Sequence, residues 1–282
     1  MEPPFPEYDA DEKREPKLAP AATPTRLRDV SVRLLIPNLI TLGAICAGLT
    51  GVRLAVEGRF ELAIVAVVFA AVLDGLDGRA ARLLKATTSF GEQMDSLADF
   101  VNFGVAPGLI LYWWSLKDLH SFGWIAALIF AICGCLRLAR FNVMLEDENK
   151  PDWHGRFFTG VPAPAGALLA LLPVYVGLLG LESEPWEAIF SALYLLLIAF
   201  LMVSSLPTWS GKQIGGRVSR RWVMPLMLGI ILMVVFLFSY PWLFLTLLAV
   251  SYLGTIPFSY REYSMRTAED EANHSAASGK SS

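Results

Sequence analysis

Cysteine and histidine are scarce in this chain, with 3 of each in 282 residues, and charge is scarce too, since Asp, Glu, Lys and Arg together make 17%. The cysteines, Cys46, Cys133 and Cys135, all fall within apolar stretches, where a thiol packs as a small hydrophobe; neither a disulfide framework nor a thiolate metal centre is expected. His120, His154 and His274 lie in loops or tail, far in sequence from the acidic cluster described below, and read as solvated bystanders. A formal net charge of -3 offers no surplus of positive charge for a polyanion, so no nucleic-acid partner is expected. What the chain has in excess is apolar residues, 55% of the total, with a mean hydropathy of +0.50. A soluble domain of this composition would be an outlier, whereas a polytopic membrane protein fits.

Apolar segments run at roughly 34–56, 60–83, 95–115, 122–144, 162–181, 186–206, 222–239 and 241–258, each near the ~20 residues a spanning helix needs. The expected fold class is all-α, a polytopic membrane protein with about eight transmembrane helices. The last two segments are parted only at Tyr240-Pro241, which leaves open a single kinked or re-entrant hairpin. Residues 1–33 form a polar, proline-bearing tail, expected to be partly disordered with a short amphipathic lead-in from about Arg26. It lacks the early apolar stretch and small-residue cleavage site of a signal peptide. Residues 34–258 make the membrane domain and 259–282 a C-terminal tail, expected to be disordered from Thr267; the acidic loop LEDENKPD at 145–152 reads as a solvated connection, and no second globular domain is indicated.

Loop charges set the orientation. Of the 23 Lys and Arg, only Arg53, Arg59 and Lys117 fall on one side; all the others lie in the two tails and in the loops on the opposite side. By the positive-inside rule that opposite side is cytoplasmic, so both termini face the cytosol. Trp113, Trp114, Trp124, Trp186, Trp222 and Trp242 sit near segment ends and read as interface anchors.

Against this apolar background four aspartates stand out within DGLDGRAARLLKATTSFGEQMDSLAD: Asp74, Asp77, Asp95 and Asp99. At bilayer depth each carboxylate would cost about 2.5–3.5 kcal/mol, so four together require a cation, water or protons. On a helix Asp74, Asp77, Gly78, Ala81 and Arg82 fall at i, i+3, i+4, i+7 and i+8, a single stripe. In the next segment Gly91, Asp95, Asp99 and Asn102 repeat the pattern at i, i+4, i+8 and i+11. If the two helices pack as an antiparallel pair, the stripes meet at the cytoplasmic boundary. Hard oxygen ligands without histidine or cysteine suit Mg²⁺ or Mn²⁺ rather than zinc. Gly78 and Ala81 allow phosphate oxygens or a facing helix to approach the backbone, and Arg82 can clamp a phosphate bidentately. A carboxylate left partly free of metal could take a proton from an attacking hydroxyl. Together these point to phosphoryl transfer from a diphosphate. The competing possibility is that the acids merely pair with Arg79, Arg82 and Lys85 in a solvated loop.

The spacing Asp-x-x-Asp-Gly-x-x-Ala-Arg, eight residues, Gly-x-x-x-Asp-x-x-x-Asp is filled without mismatch from Asp74 to Asp99 and resembles the signature of the CDP-alcohol phosphotransferases. That resemblance implies the fold of the family and makes 34–258 a catalytic domain. It implies that Asp74, Asp77 and Asp95 bind one metal ion, that Asp74, Asp95 and Asp99 bind a second, and that Asp99 is also the general base. It places the cytidine diphosphate part of CDP-diacylglycerol along Asn38 to Thr41, with Gly78, Ala81, Arg82, Thr88 and Gly91 completing the contacts. Further stretches, IPNLITLGAICAGL, VEGRFELA, DSLADFVNFGVAPGLILY, CGCLRLARFNV and FFTGVPAPAGALLA, resemble one branch of the family, the integral-membrane phosphatidylserine synthases of bacteria. The reaction then implied is CDP-diacylglycerol plus L-serine giving phosphatidylserine plus CMP, carried out by a homodimer in the inner membrane with its site on the cytoplasmic side.

A serine carboxylate asks for a guanidinium, and Arg137 and Arg140, with Asn142 beside them, are the candidate serine-binding residues. An equal alternative is that these arginines are positive-inside anchors. The GVPAPAGA stretch at 160–167 is expected to break a helix and shape the entrance, or to be a plain loop with prolines at a helix start. Within the family, glycerol 3-phosphate, inositol phosphate or choline are the rival acceptors; outside it, the carboxylates could be the ion-coupling site of a secondary transporter. No motif is assigned beyond about residue 185.

Overall fold

The computed structural model describes residues 32–145, 157–180, 186–204, 206–209 and 220–278. The expected N-terminal tail, most of the acidic loop at 145–152, and His154 lie outside the described residues.

Helix α1 (Val32–Val56) turns into α2 (Phe60–Leu83), and these two make the most extensive helix pairing among the described residues. A turn at 84–88 leads into α3 (Ser89–Asp99), which starts six residues before the expected segment at 95. The reason is local: Thr88 is extended and its side chain accepts a hydrogen bond from the Gly91 amide at 3.0 Å, an N-cap that starts the helix ahead of its apolar stretch. Lys85 ends the preceding turn with φ 50, a left-handed position usually given to glycine.

Helix α3 does not stop at Asp99. It continues through a π-helical turn, Phe100–Val105, into α4 (Ala106–Trp114). Pro107 explains the turn: it has no amide hydrogen to donate and its ring crowds the preceding carbonyls, so the chain widens by a residue before it. After a 3-10 turn at Leu116–Leu119 comes α5 (Ser121–Leu145), whose Gly134 lies so close to Gly104 of the π turn that a methyl there would stand 3.0 Å from the Gly104 Cα.

The next expected span is broken. Helices α6 (Ala163–Ala170) and α7 (Leu172–Leu178) are separated at Leu171, with Pro173 in the first turn of α7. Then follow α8 (Glu187–Val203), α9 (Arg220–Ser239) and α10 (Pro241–Ser278). The last two are separate helices rather than a single bent one, and α10 runs on through the expected tail, so residues 267–278 are helical where disorder was expected. Two short strands, β1 (Phe157–Thr159) and β2 (Pro207–Trp209), pair antiparallel and tie the segment before α6 to the segment after α8.

The fold is an all-α membrane fold, with helix in each of the expected apolar segments. Among the described residues five helices are long and apolar enough to cross a membrane by length and composition, and Ala163–Leu178 and Glu187–Val203 are shorter apolar helices. Helix α2 is equally long, 24 residues, but Asp74, Asp77, Arg79 and Arg82 lie in its second half. Its apolar length is given up to the site. The buried core is centred on Phe103, Ile110, Phe130, Leu169, Tyr175, Leu195 and Ile198, while Leu39, Val65, Phe69, Leu97, Ile132 and Phe200 point outward as a lipid-facing surface would.

Candidate active site

Asp74, Asp95 and Asp99 converge. One oxygen from each lies within 4.8 Å of the others, close enough to share a cation. This is the set that the resemblance assigns to the second ion. The convergence differs from a packed antiparallel pair: α1 lies against both α2 and α3, while α2 and α3 make little direct contact beside the site. The carboxylates therefore meet from helices whose backbones stand apart.

Asp77 sits one turn along from Asp74, outside that trio but within electrostatic reach of Asp95 and Asp74. It is 3% exposed, and its Oδ2 accepts a 2.6 Å hydrogen bond from the Thr41 hydroxyl of α1. Thr41, expected to touch the nucleotide, therefore also holds a carboxylate in place. One oxygen each of Asp74, Asp77 and Asp99 is buried with no hydrogen-bond partner. Buried ionised oxygens demand compensation. No lysine or arginine among the described residues comes within salt-bridge distance of them, so pairing with Arg79, Arg82 or Lys85 does not account for the cluster. An oxygen-only donor set with unsatisfied inward lone pairs fits a hard divalent cation.

Beside the trio lies a cavity of about 130 Å³, lined by Pro37, Asn38, Thr41, Asp77, Gly78, Ala81, Ala86, Thr87, Thr88, Gly91, Glu92 and Asp95. Six of the seven residues expected to contact CDP-diacylglycerol are in that lining: Asn38, Thr41, Gly78, Ala81, Thr88 and Gly91. Arg82 is the exception; it is exposed, and its Nε donates to the Gly78 carbonyl at 3.0 Å. A Cβ placed on Gly78 would meet no protein atom within 4 Å, so that face of α2 opens onto free space. A Cβ on Gly91 would instead stand 3.1 Å from Asn38 Oδ1 and from Thr88 Oγ1. Glu92, Thr87 and Pro37 were not singled out from sequence; only the turn at 84–88 shows that they share a wall with Asp77.

The three candidate serine-binding residues separate in the structure. Arg140 donates from Nη1 to the Val203 carbonyl at 2.7 Å, which fills one of the open acceptors at the C-terminus of α8. Asn142 donates to Ser96 Oγ at 3.1 Å and fixes α5 against α3 next to Asp95. Both have structural employment. Arg137 does not: it is 7% exposed, forms no hydrogen bond or ion pair among the described residues, lies over the Phe141 ring at 5.3 Å, and is within electrostatic reach of Asp99.

Asn102, at the end of the second stripe, is fully buried in the π turn with neither amide atom partnered among the described residues, and it presses against Gly48 of α1 so closely that a side chain at Gly48 would force it to shift. Of the two readings of the 160–167 stretch, prolines at a helix start is the one seen, and none of its residues lines the cavity. Gly160, at φ 76, lies against the carbonyls of Met202 and Ser204, and Pro162 and Pro164 begin α6. The Gly160 amide donates to Leu206 and that of Val161 to Leu201, so this loop is strapped to the end of α8 that Arg140 also holds.

A family profile described as CDP-alcohol phosphatidyltransferase matches residues 34–258, most of the chain. The protein belongs to the CDP-alcohol phosphotransferase family. Among its relatives, a CDP-diacylglycerol–serine O-phosphatidyltransferase of Mycobacterium leprae is 38% identical over 254 residues, covering 88% of this chain and 82% of the relative. An enzyme of the same name from Bacillus subtilis is 34% identical over 172 residues, 61% of this chain and 88% of the relative. An archaetidylserine synthase of Methanothermobacter thermautotrophicus is 30% identical over 175 residues, 61% of this chain and 69% of the relative. Membership makes the protein a phosphotransfer enzyme rather than a secondary transporter.

Proposed function

We propose that this enzyme transfers the phosphatidyl group of CDP-diacylglycerol to the hydroxyl of L-serine, giving phosphatidylserine and CMP. The observation that carries the choice of acceptor is Arg137, a buried guanidinium with no anionic partner in contact among the described residues, within electrostatic reach of Asp99, the proposed base. Such a group is costly unless an anion completes it. A serine carboxylate does so and leaves the serine hydroxyl directed at Asp99. Choline would bring a second positive charge to Arg137. A phosphate-bearing acceptor, with its extra charge, asks for a second cation, and Arg140 is tied to the end of α8. The names of the relatives agree with serine.

In this reading CDP-diacylglycerol lies with its acyl chains in lipid and its diphosphate in the cavity between α1, α2 and α3. Asn38, Thr41, Gly78, Ala81, Thr88 and Gly91 line the nucleotide's path, with Arg82 at the mouth. Divalent cations, Mg²⁺ or Mn²⁺ and by the family resemblance a pair, held by Asp74, Asp95 and Asp99 with Asp77 alongside, would neutralise the diphosphate and the departing CMP. Asp99 takes the proton from the serine hydroxyl. The serine oxygen bonds to the phosphorus that carries diacylglycerol, the bond from that phosphorus to the oxygen of CMP breaks, and CMP leaves with the electron pair. Arg137 holds the serine carboxylate so that the attacking oxygen is in line. The enzyme works as a homodimer in the inner membrane, with the site and both termini cytoplasmic, as its loop charges favour.

The test supplies the full-length enzyme in membranes with CDP-diacylglycerol and, in turn, labelled L-serine, glycerol 3-phosphate, inositol phosphate and choline, and follows CMP release with and without chelator. Label from serine should enter chloroform-soluble lipid in step with CMP, stop on chelation and return with Mg²⁺ or Mn²⁺. Transfer confined to another acceptor, or transfer indifferent to chelator, overturns the proposal.

A further inference from the structure

Glu92 is a carboxylate in the wall of the cavity that does not belong to the aspartate trio. It fills one of the open positions between Gly91 and Asp95, one helical turn before Asp95 and about 10 Å along the axis from Asp99. Helix α3 therefore carries its acids at two levels: the half-buried Asp95 and Asp99, and the exposed Glu92 beside the turn at 84–88. Among the described residues the Glu92 side chain makes no hydrogen bond or ion pair. Nor does the start of the helix need it. Thr88 already takes the Gly91 amide, and the position where a capping box calls for Glu or Gln, three residues after the cap, is Gly91 itself. What remains for Glu92 within the fold is the weak attraction of an acid for the first turn of a helix.

We propose that Glu92 reads the base of the nucleotide, accepting a hydrogen bond from the exocyclic amino group of cytosine. The assignment rests on the reading, given above, of the cavity as the place of CDP-diacylglycerol. A diphosphate and a carboxylate repel each other, so the acid serves binding only against a part of the ligand that donates hydrogen bonds. With the attacked phosphorus at Asp99, the phosphate that leaves with cytidine falls nearer Asp77 and Asp95. The nucleoside then extends along the lining toward Ala86, Thr87 and Glu92, which puts the base at the level of Glu92. Cytosine carries an amino group where uracil carries a carbonyl oxygen; a carboxylate accepts from the first and repels the second. The Thr87 hydroxyl and the Asn38 amide, in the same lining, are donors for the acceptor atoms of the same ring. Because Glu92 stands at the water boundary, the effect is that of one hydrogen bond to a charged group rather than of a buried ion pair. The ribose hydroxyls are the other donors of the nucleotide, and the experiment separates them from the base.

The experiment uses the full-length enzyme in membranes with Mg²⁺, as wild type, Glu92→Gln and Glu92→Asp. Each is supplied with L-serine and, in turn, CDP-diacylglycerol, UDP-diacylglycerol and the deoxycytidine analogue, and kcat/KM is taken for each; affinities for CMP and UMP are measured by equilibrium dialysis. Wild type should prefer the cytosine ligand over the uracil ligand by about tenfold or more. Glu92→Gln, whose amide can turn either its oxygen or its nitrogen to the base, should erase most of that preference, losing affinity for CMP and gaining it for UMP. Glu92→Asp, with the charge kept on a shorter stem, should recover part of it. The serine KM should stay within about twofold throughout. An acid that served only the helix start would lower thermal stability in Glu92→Gln and weaken CMP and UMP alike. A wild-type enzyme indifferent to the base, or a CMP to UMP ratio unchanged in Glu92→Gln, overturns the inference and leaves phosphatidyl transfer to serine in place. So does an effect confined to the ribose, read as a lost preference for the ribonucleotide over the deoxyribonucleotide with base preference intact. Failure of the wild-type enzyme to bind CMP or use CDP-diacylglycerol overturns both.

Discussion

Replacing Gly78 with alanine should stabilise the protein and cripple it at once. Gly78 lies in the interior of α2, where glycine is less favourable than alanine by about 0.5–1 kcal/mol. No protein atom stands within 4 Å of the position the new methyl would take, so nothing in the fold opposes it. The expected consequence is a thermal midpoint equal to wild type or higher by about 1–4 °C. The same methyl, however, enters the cavity of about 130 Å³ that Gly78 lines beside Asp77 and Asp95. If phosphate oxygens of CDP-diacylglycerol approach the α2 backbone there, the overlap should cost about 1–3 kcal/mol, the range found for overfilled sites. That corresponds to about a 5–150-fold fall in kcat/KM for CDP-diacylglycerol. The assay pairs CMP release at varied CDP-diacylglycerol with a thermal unfolding curve in detergent, and Gly91→Ala is the companion: its Cβ would press at 3.1 Å on Asn38 and Thr88, so stability and activity should fall together. Wild-type kcat/KM in Gly78→Ala would refute the placement of the diphosphate against α2, and a lowered midpoint would refute the openness of that face.

Three further outcomes are expected. Thr41→Val removes the 2.6 Å hydrogen bond to Asp77 and should lower kcat/KM for CDP-diacylglycerol by about 10–100-fold, as loss of a charge-assisted bond implies, with the serine KM little changed; an unaltered CDP-diacylglycerol response would show that Asp77 needs no support from α1. Asp99→Asn should keep nucleotide binding, measured by equilibrium dialysis of CMP or CDP-diacylglycerol, yet lose about 10²–10⁴-fold in turnover, and full serine transfer by it would remove Asp99 as the base. Arg140→Ala should lower thermal stability through the freed Val203 carbonyl without raising the serine KM, whereas Arg137→Ala should raise the serine KM by tenfold or more; the reverse ranking would exchange their roles.

Much of the site could be read from the chain alone because helical periodicity turns spacing into direction. Asp74 with Asp77, and Asp95 with Asp99, share a helix face whatever the rest of the molecule does, and carboxylates in apolar segments must find compensation. The same reasoning grouped Gly78 and Ala81 on the open face of α2, and the family resemblance supplied Asn38, Thr41, Thr88 and Gly91, all of which line the cavity. Less legible were features set by backbone capping. The start of α3 at Ser89, the left-handed Lys85 and the π turn before Pro107 follow from hydrogen bonds that hydropathy does not register.

What the sequence determined by itself was local: which stretches are helical, which faces carry charge, and which oxygen-rich pattern could hold a cation. Only the tertiary structure decided what each polar group meets. It separated Asp77, held by Thr41, from the trio of Asp74, Asp95 and Asp99. It also assigned Arg140 and Asn142 to holding helices together and left Arg137 without a hydrogen bond or ion pair among the described residues. The physical reason is that periodicity along one helix fixes the direction of a side chain relative to its neighbours in sequence, whereas a hydrogen bond or an electrostatic contact depends on distance, which helix packing alone sets.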